Sequence, residues 1–236
     1  MKYQIPQFKF IDRGFNKDML LIPGWATDWR IFEKLDIPFN YILPEDMLPA
    51  RFESMFDSLL DMIEPSGISV LGWSMGGFIA ADLVSRYPRV FDKAVLVGIR
   101  RRYNENDINH VSACLKKNTR AYLYKFYRSL FSGSEKSRES WFKESLLKKY
   151  LEDSDSLHLS DGLDYLANRE LKVDSLDSSR TIFIHGENDI IASLEEARLL
   201  VANMPLARFI PIRSACHFPI LRDEFRDIFR KETYAR

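Results

Sequence analysis

The apolar positions of this chain alternate between two spacings. Met19-Leu20-Leu21-Ile22, Phe39 to Leu43, Ile68-Ser69-Val70-Leu71, Lys93 to Gly98, Thr181-Ile182-Phe183-Ile184 and Ala207 to Ile212 are short runs, mostly apolar and often β-branched. Such runs suit strands buried on both faces of a parallel sheet. Between them the spacing becomes helical. From Ala50, the residues Phe52, Met55, Phe56, Leu59, Leu60 and Ile63 recur at helical steps and make one apolar face. Phe78 to Val84 (ending before Pro88), Ser193 to Asn203 and Pro219 to Arg230 also read as helices. Another helix is expected from a Thr27 or Asp28 cap through Trp29, Ile31, Phe32 and Leu35. Ahead of the first strong strand, Tyr3, Ile5, Phe8 and Phe10 alternate weakly and predict a short edge strand interrupted by Pro6.

Strands alternating with helices predict an α/β fold, a mostly parallel sheet with helices on both faces. From Arg101 to about Lys172 the alternation stops, and only amphipathic helical stretches remain. In one of them, Thr119 to Phe131, the residues Leu123, Phe126, Tyr127, Leu130 and Phe131 share a face. Lys125 and Arg128 lie opposite, with Arg120 on the flank. A core of residues 1–100 and 173–236 with an inserted helical lid over 101–172 is therefore expected.

The most informative stretch is Gly72-Trp73-Ser74-Met75-Gly76-Gly77, between an apolar strand and a small-residue helix. It has the form of a G-x-S-x-G nucleophile elbow. The chain must reverse within a few residues, which strains Ser74 and brings Gly72 and Gly76 too close for any Cβ. A serine hydroxyl is a poor nucleophile at neutral pH and needs a base that is itself oriented by a carboxylate. On a scaffold with this elbow the partners follow in the order serine, acid, histidine. Of His110, His158, His185 and His217, only His217 follows the last expected strand. The acid belongs after the preceding strand, in His185-Gly186-Glu187-Asn188-Asp189, with Asp189 the first choice and Glu187 its rival. His185 ends that strand and is read as structural. Acyl transfer also needs two fixed donors for the developing oxyanion. The backbone N–H groups of Met75, at a helix N-terminus, and of Trp25, after the first long strand, are the candidates.

Composition narrows the partners. A chain of 236 residues fits one domain, or one core with an inserted subdomain. Lys+Arg 34 balance Asp+Glu 34, so no global charge argues for nucleic acid or membrane. Cys114 and Cys216 form no metal spacing, which fits a reducing compartment. No apolar signal core follows Lys2, and no uncharged run reaches the roughly 20 residues of a membrane span. A cytoplasmic monomer is expected. No phosphate cradle, metal cluster or dinucleotide fingerprint is present, so neither cofactor nor metal is expected. The balance is nevertheless local. Between residues 101 and 150, Lys and Arg number 12 against 5 Asp and Glu, an excess of +7, interleaved with Tyr122, Tyr124, Phe126 and Trp141. A positive face of this kind steers acidic partners.

Over nearly its full length the chain resembles the α/β-hydrolase superfamily. Within it, the chain is most similar to the pimeloyl-[acyl-carrier protein] methyl ester esterases of biotin synthesis. Pro23-Gly24-Trp25-Ala26, the elbow with Trp73 before Ser74, His185-Gly186-Glu187-Asn188-Asp189 and Gly162-Leu163-Asp164-Tyr165-Leu166 carry the resemblance. The chain departs from it at Pro23, where the family usually has a histidine outside the triad. The resemblance implies that Ser74 attacks the methyl ester at the far end of a pimeloyl chain held on an acyl carrier. His217 would take the serine proton and return it to departing methanol, and the carrier thioester would be spared. Arg120, Lys125 and Arg128 are the candidate contacts to an acidic carrier. Another small-molecule carboxylesterase or thioesterase, or the menaquinone-pathway lyase that shares this triad, is the alternative; a non-catalytic binding protein on the same scaffold is the least favoured reading.

Overall fold

The strands of the computed structural model are β1 (Phe8–Ile11), β2 (Asp18–Ile22), β3 (Asn40–Pro44), β4 (Ile68–Trp73), β5 (Phe91–Val97), β6 (Thr181–Gly186) and β7 (Arg208–Ile212). The structure describes residues 7–63, 67–131 and 136–234. These strands form one sheet in the order β1-β3-β2-β4-β5-β6-β7. The β1–β3 pair is antiparallel and every other pair is parallel. Leu20, Leu21, Ile22, Val70, Leu71, Leu96, Val97 and Ile184 are all buried, which is why these strands are apolar throughout rather than alternating. Strand order reverses between β2 and β4: from β2 the chain moves outward to β3, then returns to β4 on the other side. A parallel sheet opens a crevice at such a reversal, beyond the carboxyl ends of its strands. The register places Ile22 beside Gly72, so the loops after β2 and β4 leave the sheet side by side.

Helices α1 (Pro49–Leu60), α2 (Met75–Arg86), α7 (Leu194–Val201) and α8 (Asp223–Tyr234) accompany the sheet. The helix expected after Asp28 is only a 3-10 turn, Trp29–Phe32, whose cap is the Asp28 carboxylate accepting from the Arg30 N–H at 2.9 Å. Pro38 biases Ile37 away from helical backbone, and the chain must enter β3 at Asn40. Pro44, one residue beyond the apolar run expected for β3, is its last residue and pairs with Phe8. A proline is tolerated at such a strand end, since the position needs no further ladder donor. The expected closing helix is divided. A 3-10 turn, Pro219–Leu221, is separated from α8 by the extended backbone of Arg222. Of the expected N-terminal strand, Phe8 and Phe10 lie in β1, while Tyr3, Ile5 and Pro6 fall outside the described residues.

Between β5 and β6 the chain is helical, with α3 (Glu105–Ser129), α4 (Lys136–Phe142), a π-helical turn (Lys143–Leu147), α5 (Lys148–Glu152) and α6 (Leu159–Ala167). Its two ends are tied together by a bridge from Arg102 to Glu170 and by the Leu171 N–H donating to Arg101 O at 2.7 Å. Asn118 leaves helical geometry (φ −164°, ψ 90°) inside α3, and its side chain caps the second half by accepting from the Ala121 N–H at 2.9 Å. Beyond that break, Leu123, Tyr127, Leu130 and Phe131 are buried, and Arg120, Lys125 and Arg128 are exposed.

Candidate active site

The elbow has the geometry its glycines require. Ser74 sits at φ +54°, ψ −119°, a conformation an L residue holds only when its surroundings over-determine it. Two of those constraints are the Ser74 N–H donating to Val97 O and the Gly77 N–H donating to Ser74 O, both at 2.8 Å. A Cβ on Gly72 would lie 2.2 Å from the Gly76 carbonyl oxygen, which no rotamer change relieves.

Three parallel strands then deliver three side chains to one point. Ser74 follows β4, Asp189 follows β6 and His217 follows β7. His217 Nε2 lies 3.0 Å from Ser74 Oγ, and His217 Nδ1 lies 2.7 Å from Asp189 Oδ2. All three residues are buried. A carboxylate can only accept, so His217 carries its proton on Nδ1 and presents Nε2 to accept the serine proton. Asp189 Oδ1 accepts the Ile191 and Ala192 N–H groups at 2.9 and 2.8 Å. Burial alone pushes the Asp189 pKa up, but His217, His185 and the Ala192 N–H outweigh it and hold the carboxyl below its ordinary value.

Glu187 is exposed and accepts from the Ser214 N–H, so it faces away from His217. His110 stands beside Cys114 on α3, and His158 pairs with Asp46 at 2.8 Å, both away from this relay. His185 is buried against the relay. Its Nε2 donates to Ala192 O at 2.8 Å and lies 3.4 Å from Asp189 Oδ2. Burial pushes its pKa down, against the pull of Asp189.

Two aromatic residues complete the surroundings, neither assigned from the sequence. Trp73 Nε1 donates to His217 O at 2.8 Å and its ring packs on Phe218, so the residue before the nucleophile holds the loop of the base. Tyr103, in the loop after β5, interacts with the Ser74 hydroxyl, and burial pushes its own hydroxyl pKa up. Both contacts join residues far apart in sequence, so no local pattern announces them.

On the other side of Ser74 stands the loop after β2. Gly24 is so close that a Cβ there would lie 3.1 Å from Ser74 Cβ. Among the described residues, neither the Trp25 nor the Met75 N–H donates to a backbone carbonyl. A cavity of about 370 Å³ opens from Ser74 between the sheet and the helical segment. Trp25, Tyr122, Phe126, Leu163 and Leu166 make its wall apolar, and Arg100, Asp107 and Lys125 place charges on it. Arg100 is paired with Glu196 at 2.9 Å. Lys125 lines the cavity, whereas Arg120 and Arg128 do not. Arg128 lies 3.7 Å from Glu139, while Arg120 and Lys125 have no ion-pair partner among the described residues. No cluster of three His, Cys, Asp or Glu placed to hold a metal occurs among the described residues, and no helix there is long and apolar enough to cross a membrane.

Comparison with known proteins bears on the fold and the family. The family model for the alpha/beta hydrolase fold matches residues 25–224. The chain belongs to the α/β-hydrolase fold family. Two curated relatives are both named pimeloyl-[acyl-carrier protein] methyl ester esterase. That of Nitrosomonas europaea is 25% identical over 232 residues, covering 88% of this chain and 91% of that protein. That of Aromatoleum aromaticum is 25% identical over 239 residues, covering 86% and 92%. Among solved structures, an esterase from Thermogutta terrifontis superposes with a TM-score of 0.80 at 17% identity, covering 96% of this chain and 92% of that one. At that identity the likeness is one of fold.

Proposed function

We propose that this α/β hydrolase is a serine esterase that cleaves the methyl ester of a pimeloyl chain carried on an acyl carrier protein. The observation that carries the reading is the Ser74–His217–Asp189 relay opening on an apolar cavity. The names of the curated relatives support the substrate. Ser74 Oγ attacks the ester carbonyl as His217 Nε2 takes its proton, and Asp189 steadies the imidazolium. The oxyanion is received by the N–H groups of Trp25 and Met75, the latter at the N-terminus of α2. Collapse of the tetrahedral adduct expels methanol, which takes the proton from His217. Water, deprotonated by the same imidazole, then releases the acid from Ser74.

The helical segment acts as a lid. The apolar wall of Trp25, Phe126, Leu163 and Leu166 suits a chain of methylenes, and burying each is worth about 0.8 kcal/mol. Lys125 on that wall, with Arg120 and Arg128 on the same half of α3, gives an acidic carrier a basic surface from which its acyl chain enters. Expression in a biotin auxotroph that lacks its own methyl esterase tests the reading. Growth without biotin supported by the wild type but not by Ser74→Ala is expected; no growth with well-expressed wild type contradicts it.

A further inference from the structure

The loop proposed to supply the Trp25 oxyanion donor is not held by the sheet alone. Ala26 takes the left-handed backbone (φ +59°) without being glycine, which persists only under outside constraint. Within the loop, Thr27 donates to Gly24 O from both its N–H and its Oγ1. The other constraints come from the helical segment. Tyr127 of α3 donates its hydroxyl to Ala26 O at 2.7 Å, a buried bond across 101 residues of sequence. Tyr150 of α5 donates to the Asp28 carboxylate at 3.1 Å. In the opposite direction, Trp25 Nε1 donates to Leu159 O, at the start of α6, at 2.9 Å. The fit is tight: a Cβ on Gly162 would lie 2.6 Å from the Trp25 ring.

Both tyrosines are buried, their rings 5.7 Å apart and each packed on Phe142. Burial pushes both hydroxyls far above the ordinary tyrosine range, so each remains a donor at any working pH. A hydroxyl donor on Ala26 O fixes the Ala26–Thr27 peptide plane, two planes beyond the one that carries the Trp25 N–H, and so restrains the direction of the loop beside Ser74.

We propose that Tyr127, seconded by Tyr150, is a positioning residue for transition-state stabilisation. The helical segment braces the oxyanion loop as well as covering the cavity, and catalysis therefore requires its seated state. The inference rests on the oxyanion role proposed above for the Trp25 N–H. A donor misplaced by a fraction of an ångström loses much of its value in the transition state while leaving ground-state binding nearly intact.

The test is Tyr127→Phe, which keeps the ring stack and removes one hydroxyl. With a short p-nitrophenyl ester, kcat should fall roughly tenfold to a hundredfold with KM within about twofold. The second readout is the acidity of the hemiketal that a 13C-labelled trifluoromethyl ketone forms on Ser74, followed by NMR titration. The brace predicts a hemiketal at least roughly tenfold less acidic in Tyr127→Phe than in wild type. Tyr150→Phe should shift both readouts in the same direction by less, and serves alone if Tyr127→Phe does not fold. A lowered Tm with kcat and hemiketal acidity unchanged overturns the brace and leaves the tyrosines as packing. A wild-type hemiketal no more acidic than the free ketone's hydrate instead removes the oxyanion hole itself, and the brace with it.

Discussion

At the scale of single residues, Asp189 and His185 carry the site's response to pH. The Asp189 carboxyl is held below its ordinary pKa by His217, His185 and a backbone N–H, against burial. Its stabilisation is therefore present above the unfolded carboxylate value and lost as pH falls through the folded one. The His185 pKa is lowered by burial. Below the ordinary imidazole value the unfolded chain takes up a proton that the folded chain refuses, so stability falls from about pH 6.5 downward. Thermal melts should show a Tm declining between pH 7 and 5, and a shallower decline in His185→Gln; an equal slope in both would assign the decline to other groups. The relay makes its own demand. Asp189→Asn should leave the fold intact but put the His217 proton on the wrong nitrogen, lowering kcat by about 10⁴. Glu187→Gln, on a side chain turned toward Ser214, should change little, and reversed effects would move the acid to Glu187. The three residues of the relay were legible in sequence because the elbow fixes one and chain order the other two. Trp73, Tyr103 and Tyr127 were not, since what makes them matter is an interaction with a residue that only folding brings near.

Elements were read well where burial alone decides them and less well where a single side chain ends them. The parallel strands are apolar on both faces, so their runs stand out. The turn after Asp28 stays short although Asp28 caps its start, because Pro38 biases Ile37 away from helix and the chain must enter β3 at Asn40, a limit that the apolar spacing of Trp29, Ile31, Phe32 and Leu35 hides. Asn118 divides α3 by recapping it, just ahead of the stretch from Thr119 to Phe131 that the sequence reads as a helix. Packing between elements gives a sharper test at Gly162. Alanine is about 1 kcal/mol the better helix former than glycine, while overpacking a fitted contact costs about 1–3 kcal/mol. The Trp25 ring cannot yield freely, because its Nε1 is bonded to Leu159 O in the same helix. The clash should win: Gly162→Ala should lower both Tm and esterase kcat. A raised Tm would mean that α6 has room to spare.

On the scale of the whole molecule, zero net charge conceals a basic face on the segment that roofs the cavity. The excess is partly spent internally, since Arg101 pairs with Glu170 and Lys143 with Glu139. Exposed charges act mainly on encounter and are screened over about 8 Å at physiological ionic strength. Arg120 and Arg128 lie outside the cavity lining, so their joint reversal to Glu should raise KM for the carrier-bound ester, most strongly at low salt. Hydrolysis of a small neutral ester should be nearly unchanged, and a loss shared by both substrates would point to a damaged helical segment instead. The central claim is that Ser74 cleaves a methyl ester while the carrier's thioester survives. Purified protein should be incubated with pimeloyl-acyl-carrier-protein methyl ester and the intact carrier weighed by mass spectrometry over time. Conversion to the free-acid form still attached to the carrier, reduced by about 10⁶ in Ser74→Ala, is the predicted result. Release of bare carrier, an ester left intact, or full activity in Ser74→Ala would contradict it.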